Sequence, residues 1–343
     1  MASFPDVAVP LSSVPMWEGT MLERFPVGRA DFDGPVLITG AGGCIGSWAM
    51  ALLTRAGVPV IAYDLSDDKR RPRLLMTEAD LAKITWVTGD IADTKAVAAV
   101  VAEHRVRAII HLAALQVPFC KADPVAGARA NVVGTVDVLE AARHNGLKRV
   151  AYASSIAALS FLPDAPWLDT LYGAYKLANE MTAKVYFQDW AVPSVGIRPG
   201  VVYGVGRDQG LTSKTTIAIL AAAAGKPYAV PFTGAVSALH AGEVASAFIK
   251  AVAQERAEAV VFDLNGRATS VAEWLEILRA IAPGATLSMD GAELPFPADL
   301  SDAPAQSYLG DYGPVPLADG IRATYDDFRQ LLAEGALSPD AVA

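Results

Sequence analysis

Cysteine is scarce in this chain. The two that occur, Cys44 and Cys120, stand far apart and outside any Cys-x-x-Cys spacing, so neither a disulfide framework nor a zinc knuckle is expected, and a reducing cytoplasm fits best. The four histidines, His104, His111, His144 and His240, are scattered, and no metal site is expected from them; His111 reads as a satisfied strand residue. Basic charge is also short: 28 Lys and Arg stand against 37 Asp and Glu, a formal net charge of -9. That balance disfavours the basic surface that phosphate-backbone binding needs, so nucleic acid is not an expected partner. Long apolar runs are missing too, none reaching the roughly 18 residues of a membrane span. The opening MASFPDVAVPLSSVPMWEGTML has no basic stretch followed by an apolar one, and the chain therefore reads as cytosolic and unprocessed.

What remains is material for a large core, with 52% hydrophobic and 19% charged residues over 343 positions. Pro5, Pro10, Pro15 and Pro26 prevent a long helix in residues 1–33, which read as an extended arm anchored by Trp17, Met21, Leu22 and Phe25. From Pro35 the run VLIT ends in glycines and leads into IGSWAMALLTRAG, a helix closed by Gly57. VPVIAYD, ITWVTGD, RAIIHLAA and KRVAYASS follow as strands, with helices at TKAVAAVVAEH and ANVVGTVDVLEAARHNG. Strands apolar on both faces and separated by helices predict an α/β fold, a Rossmann-type doubly wound parallel sheet, over residues 34–200. Residues 201–343 are expected to form mainly a smaller C-terminal substrate lobe, interleaved with the last strands of the sheet. Helices are predicted there at TTIAILAAAAG, HAGEVASAFIKAVAQ, SVAEWLEILRAI and PLADGIRATYDDFRQLLAEG, and a strand at AVVFDLN.

The turn TGAGGCIGS sets Gly40, Gly43 and Gly46 in a G-x-x-G-x-x-G pattern between a strand and a helix. Missing side chains there let backbone approach a pyrophosphate drawn to the helix N-terminus. Asp64 ends the next strand, where a carboxylate can accept both ribose hydroxyls of NAD and repel a 2′-phosphate. Strand, turn, helix and acid in that order predict a dinucleotide site for NAD. Lys69, Arg70 and Arg71 leave room for NADP, or else form a solvated basic turn.

From about Pro35 to Glu334 the chain resembles the extended short-chain dehydrogenases/reductases of the NAD-dependent epimerase/dehydratase family. The features that carry the resemblance are TGAGGCIG, GDI, HLAA, NVVGTVDVLEAAR, YASS, YGAYK and RPGVVYG. It implies that Cys44 and Ile45 sit in the cofactor turn, and Asp90 and Ile91 beside the adenine. Leu112, Ala113, Ala114 and Pro199 are implied to line the cofactor groove, and Asn131 to lie near the active site, or else to make a helix-breaking polar contact. It also implies a homodimer built on helices 123–145 and 171–190, although Val132, Val136 and Leu139 are equally explained by packing on the sheet.

Tyr172 and Lys176 are four residues apart in a helical stretch, so both can reach one ligand. A phenol titrating near about 10 is a poor acid or base at neutral pH, and an adjacent ammonium favours phenolate. Tyr175 competes for the part, but only Tyr172 has a lysine four residues later. Ser154 and Ser155 point to opposite sides of a strand end, and only one can face substrate. By resemblance Ser155 is the catalytic serine. Gln116 and Arg207 are expected on the substrate side, Arg207 meeting a carboxylate or a single phosphate, or else lying in a surface loop.

Hydride chemistry at a carbinol follows from these residues. Dehydration is disfavoured, because SSIAALS carries no carboxylate after the serine to supply an acid and base for elimination. The usual diphosphate clamp of nucleotide-sugar epimerases is not visible either, as PFTGAVSALHAGEV has no arginine before His240. The expected function is an NAD-dependent dehydrogenase of a sugar, sugar acid or similar carbohydrate-like small molecule. A nucleotide-sugar epimerase is the alternative, and a non-catalytic NAD-binding protein the third.

Overall fold

The computed structural model describes residues 21–342. Two single turns of 3-10 helix, Met21–Arg24 and Arg29–Asp31, precede β1 (Val36–Thr39), α1 (Cys44–Arg55), β2 (Val60–Asp64), α2 (Glu78–Leu81), β3 (Thr85–Thr88), α3 (Thr94–Glu103) and β4 (Ala108–His111). Then come α4 (Val117–Ala122), α5 (Pro124–Ala128), α6 (Gly134–His144), β5 (Val150–Ala153), α7 (Leu171–Trp190), β6 (Ser194–Pro199), β7 (Val202–Tyr203), α8 (Lys214–Ala223) and β8 (Tyr228–Val230). The chain finishes with β9 (Ala235–His240), α9 (Ala241–Val252), β10 (Ala259–Leu264), β11 (Arg267–Ser270), α10 (Val271–Ile281), β12 (Leu287–Met289), α11 (Ala303–Leu309) and α12 (Leu317–Ala333).

Seven strands form one parallel sheet in the order β10-β6-β5-β4-β1-β2-β3. The period of two along each strand splits the core: Val36, Ile38, Val60, Ala62 and Ile110 point to one side, Leu37, Ile61, Tyr63 and Ile109 to the other. α1 and α9 cover the first side, and α3, α6 and α7 the second. This is the doubly wound architecture. It includes α9 and β10, so the chain beyond residue 200 returns to the sheet before building the C-terminal helices. Those helices share the core of the first side, where Trp274, Ile321 and Phe328 continue the cluster begun by Val36 and Trp48.

Local chemistry explains the helix ends. The Asp93 carboxylate accepts from the backbone of Lys95 and Ala96 to start α3, and the Thr170 hydroxyl accepts from Gly173 to start α7. Gly57, at φ +73°, lets the chain leave α1 through the left-handed region.

Of the expected anchors of the N-terminal arm, Leu22 and Phe25 are buried and Met21 half-buried, while Trp17 lies outside the described residues. Phe25 stacks on His240 and meets the edge of Trp48, and a methyl group at Gly242 would stand 2.3 Å from its ring. Residues 21–33 therefore belong to the packed body. Arg24 also donates to the Pro314 carbonyl and Arg149 to that of Asp31.

Candidate active site

β1 has β2 on one side and β4 on the other, so the chain departs from it in opposite directions and leaves a crevice at the carboxyl ends of these strands. The glycine turn fills the floor. Gly40 has φ +68°, and a Cβ there would lie 2.7 Å from the backbone nitrogen of Ala113. Gly46 is tighter still, since its Cβ would stand 2.4 Å from the Gly40 carbonyl oxygen. Only glycine lets α1 start this close to β1, with Gly43 at its N-cap and its first N–H groups free for an anion. At the end of β2 the Asp64 carboxylate is oriented by two backbone donors, Gly42 at 2.9 Å and Leu65 at 2.7 Å.

A cavity of about 590 Å³ extends from this cradle to α7. Asp90 and Ile91 line it beyond Asp64; Cys44 and Ile45 line it at the start of α1; Leu112, Ala113, Ala114 and Gln116 follow β4; and Pro199 ends β6. Ser155, Tyr172, Lys176 and Arg207 line the same space. The expected site residues thus converge, with one exception. Asn131 is buried behind the wall, in a π-helical turn over Arg129–Val133, where its amide donates to the carbonyls of Gly127 (2.9 Å) and Leu115 (3.1 Å). Both donor hydrogens are spent on backbone, so the side chain braces the loop after β4 and does not reach the cavity.

On α7 the Lys176 ammonium donates to the Ala153 carbonyl at 2.5 Å and lies 5.5 Å from the centre of the Tyr172 ring. Burial pushes Lys176 down to about 8, against the opposing pull of Cys120 and Glu180. Burial pushes the Tyr172 phenol up, and a hydrogen bond with Ser155 and the charge of Arg207 oppose it. The charge of Arg207 therefore favours phenolate here, and the Lys176 ammonium stands against the ring as the helical spacing had suggested. Tyr175 is engaged elsewhere, its hydroxyl donating to the Pro124 carbonyl at 2.9 Å.

The two serines divide as alternation on a strand requires. Ser154 turns away and donates to the carboxylate of Glu180, which is clamped by Arg198 at 2.6 and 2.7 Å. Ser155 faces Tyr172 and caps the 3-10 turn Ile156–Phe161 by accepting from Ala157 at 3.2 Å. His111 is the satisfied strand residue expected from the sequence: its ring nitrogens pair with the hydroxyls of Thr39 (2.7 Å) and Thr135 (3.1 Å), and burial drives it down to about 3.

Several lining residues were not legible in sequence. Gly42 and Asp208 flank residues that were recognised, but Thr212 and Phe296 carry no motif, and Arg71 reads as part of a basic turn. Arg207 donates to the Thr212 hydroxyl at 3.0 Å, while its Nε is enclosed with no hydrogen-bond partner. Among the described residues no carboxylate forms an ion pair with Arg207, and burial lowers its pKa against the pull of Cys44, Tyr172 and Asp208.

The model of the NAD dependent epimerase/dehydratase family matches residues 36–264. The chain belongs to this family. It is 30% identical over 312 residues to the UDP-glucose 4-epimerase of Mycolicibacterium smegmatis, covering 85% of this chain and 98% of that one. Among solved structures it superposes on the UDP-glucose 4-epimerase of Thermotoga maritima with UDP-glucose, at a TM-score of 0.73 and 21% identity over 87% of this chain and 99% of that one. A partial consensus L-threonine 3-dehydrogenase gives a TM-score of 0.74 at 23% identity, over 86% and 99%. The protein is an NAD-dependent enzyme of the extended short-chain dehydrogenase/reductase type. Its cavity fits that cofactor, because Gly40 and Gly46 let the turn pack backbone on backbone with the bare N-terminus of α1 facing the cavity, and Asp64 is held ready for ribose hydroxyls. The basic residues that had left room for NADP are engaged by acids: Lys69 by Asp67, Arg70 by Asp68 and Arg71 by Asp208. Among the described residues no helix is long and apolar enough to cross a membrane.

Proposed function

We propose that the protein is a dehydrogenase acting on a secondary hydroxyl of a sugar, sugar acid or similar polyhydroxylated molecule that carries one anionic group. The observation that carries this reading is the sharing of one cavity by the dinucleotide cradle, the Ser155–Tyr172–Lys176 set and an Arg207 guanidinium with no acid partner. Bound NAD supplies the hydride acceptor. Ser155 holds the reacting oxygen by a hydrogen bond, and Tyr172 as phenolate takes the hydroxyl proton while the C–H hydride departs. Lys176, pinned by the Ala153 carbonyl, presents its ammonium beside Tyr172 and would hold the nicotinamide ribose when NAD is bound. Arg207 anchors a carboxylate or phosphate of the substrate and, through its charge, favours the phenolate.

A nucleotide-sugar epimerase is the second reading, favoured by the near-full-length similarity to an enzyme named as a UDP-glucose 4-epimerase. Against it, the segment from β9 into α9, where a diphosphate clamp would stand, does not line the cavity, and His240 within it is buried against Phe25 and Trp48. The working unit is proposed to be a cytoplasmic homodimer. Its helical face exposes Val133, Met181 and Val185, whereas Val136 and Leu139 pack on the sheet.

The test mixes protein and NAD with free sugars and sugar acids in one panel and nucleotide sugars in the other. Stoichiometric NADH with an anionic sugar, reduced at least about 100-fold in Tyr172→Phe and shifted mainly in KM in Arg207→Met, supports the dehydrogenase. Epimer formed from a nucleotide sugar without net NADH overturns it in favour of the second reading.

A further inference from the structure

One ion pair in the wall of the cavity takes no part in the chemistry above. Arg71 follows β2 on the side of Asp64, and Asp208 follows β7 on the side of Arg207. Arg71 Nε and Nη2 reach Asp208 Oδ1 at 2.9 and 2.8 Å, and Nη1 donates to the Gly42 carbonyl at 3.2 Å. The pair is mostly covered, with 22% and 31% of the two side chains exposed, so solvent screens it less than an ordinary surface contact.

The loop that bears Asp208 is seated on the start of α1. The Val205 carbonyl accepts from Trp48 Nε1 at 3.0 Å and from Cys44 Sγ at 3.8 Å. A methyl group at Gly206 would already touch Arg71 and Cys44, at 3.8 and 3.9 Å. Gly42, Arg71, Gly206 and Asp208 all line the cavity that holds the glycine cradle. The bridge therefore joins the loop on the ribose side to the loop on the substrate side, across the helix N-terminus where a diphosphate belongs. Asp208 is an acid beside an anion site, and as a ligand for phosphate it would be repulsive. Its physical sense is as the hook for Arg71.

We propose that the Arg71–Asp208 ion pair is a latch over the cofactor cleft, and that NAD and NADH exchange through the opening of this pair. The latch rests on the dinucleotide site and not on the identity of the substrate.

The experiment follows NADH fluorescence as excess NAD chases bound NADH from wild type, Arg71→Met, Asp208→Asn and the double variant, with thermal melts to confirm folding. Release roughly tenfold faster in each single variant, with the double no faster than either, is the expected result. Asp208→Glu keeps the charge and is expected to keep release slow. Unchanged or slower release in Asp208→Asn, or effects of the two substitutions that multiply in the double variant, overturns the latch. Wild-type protein that binds no NADH would instead refute the cofactor site itself. Turnover is not needed for either result, so a wrong substrate assignment leaves the outcome readable.

Discussion

Replacing Lys176 by methionine isolates the cost of holding an ammonium inside the site. In the folded protein burial brings this group from 10.5 to about 8, a displacement that corresponds to about 3 kcal/mol. Below pH 8 both folded and unfolded chains carry the proton, and the full penalty against folding is present. Between 8 and 10.5 the unfolded chain still binds a proton that the folded one has released, so stability rises with pH across that window. Lys176→Met has no such rise. Its loss of the bond to the Ala153 carbonyl lowers stability by about 1–2 kcal/mol, but equally at every pH. The assay is urea unfolding of both proteins, freed of NAD, at pH 7 and pH 10. Wild type is expected to gain about 2–3 kcal/mol on the variant between the two conditions, the changes in tyrosines and carboxylates being common to both. A gap that stays constant would refute the reasoning, because it would mean that the Lys176 ammonium is not desolvated by its surroundings.

Two further outcomes follow from the geometry. Gly46→Ala places a methyl group 2.4 Å from the Gly40 carbonyl oxygen, a contact of backbone with backbone that no side-chain movement can relieve. A loss of about 1–3 kcal/mol in thermal stability, together with weakened NADH binding by fluorescence titration, is expected, and an unaltered titration would show that the turn does not carry the cofactor. Met181→Glu adds a charge to the exposed helical face beside Val185 and is expected to convert a dimer to a monomer in analytical ultracentrifugation; a sedimentation coefficient identical to wild type would move the interface elsewhere.

Read by itself, the sequence determined β1 to β5 and β10 with the main helices, though not β6 of the same sheet, together with the glycine cradle, its acid at the end of β2, and the pairing of Tyr172 with Lys176. Each of these is a local pattern: apolar runs of strand length, missing side chains at a turn, and two residues one helical turn apart are written into neighbouring positions. The convergence of Ser155, Tyr172 and the cradle was legible only because the motifs resemble a family as an ordered set.

What the tertiary structure alone decided involves residues far apart in the chain or the extent of their burial. Alternation alone leaves Ser154 and Ser155 equal candidates, and only the family motif separates them until Glu180 and Arg198 claim Ser154. Asn131 stands at a promising position until the carbonyls of Gly127 and Leu115 take up its amide. Arg71 is one of three adjacent basic residues, and only its meeting with Asp208, 137 positions away, distinguishes it from Lys69 and Arg70. The depressed Lys176 and the enclosed Nε of Arg207 likewise depend on what surrounds them. Hydrogen-bond partners and desolvation are set by packing between distant segments, and a linear pattern carries no record of that packing until the sheet has brought the segments together.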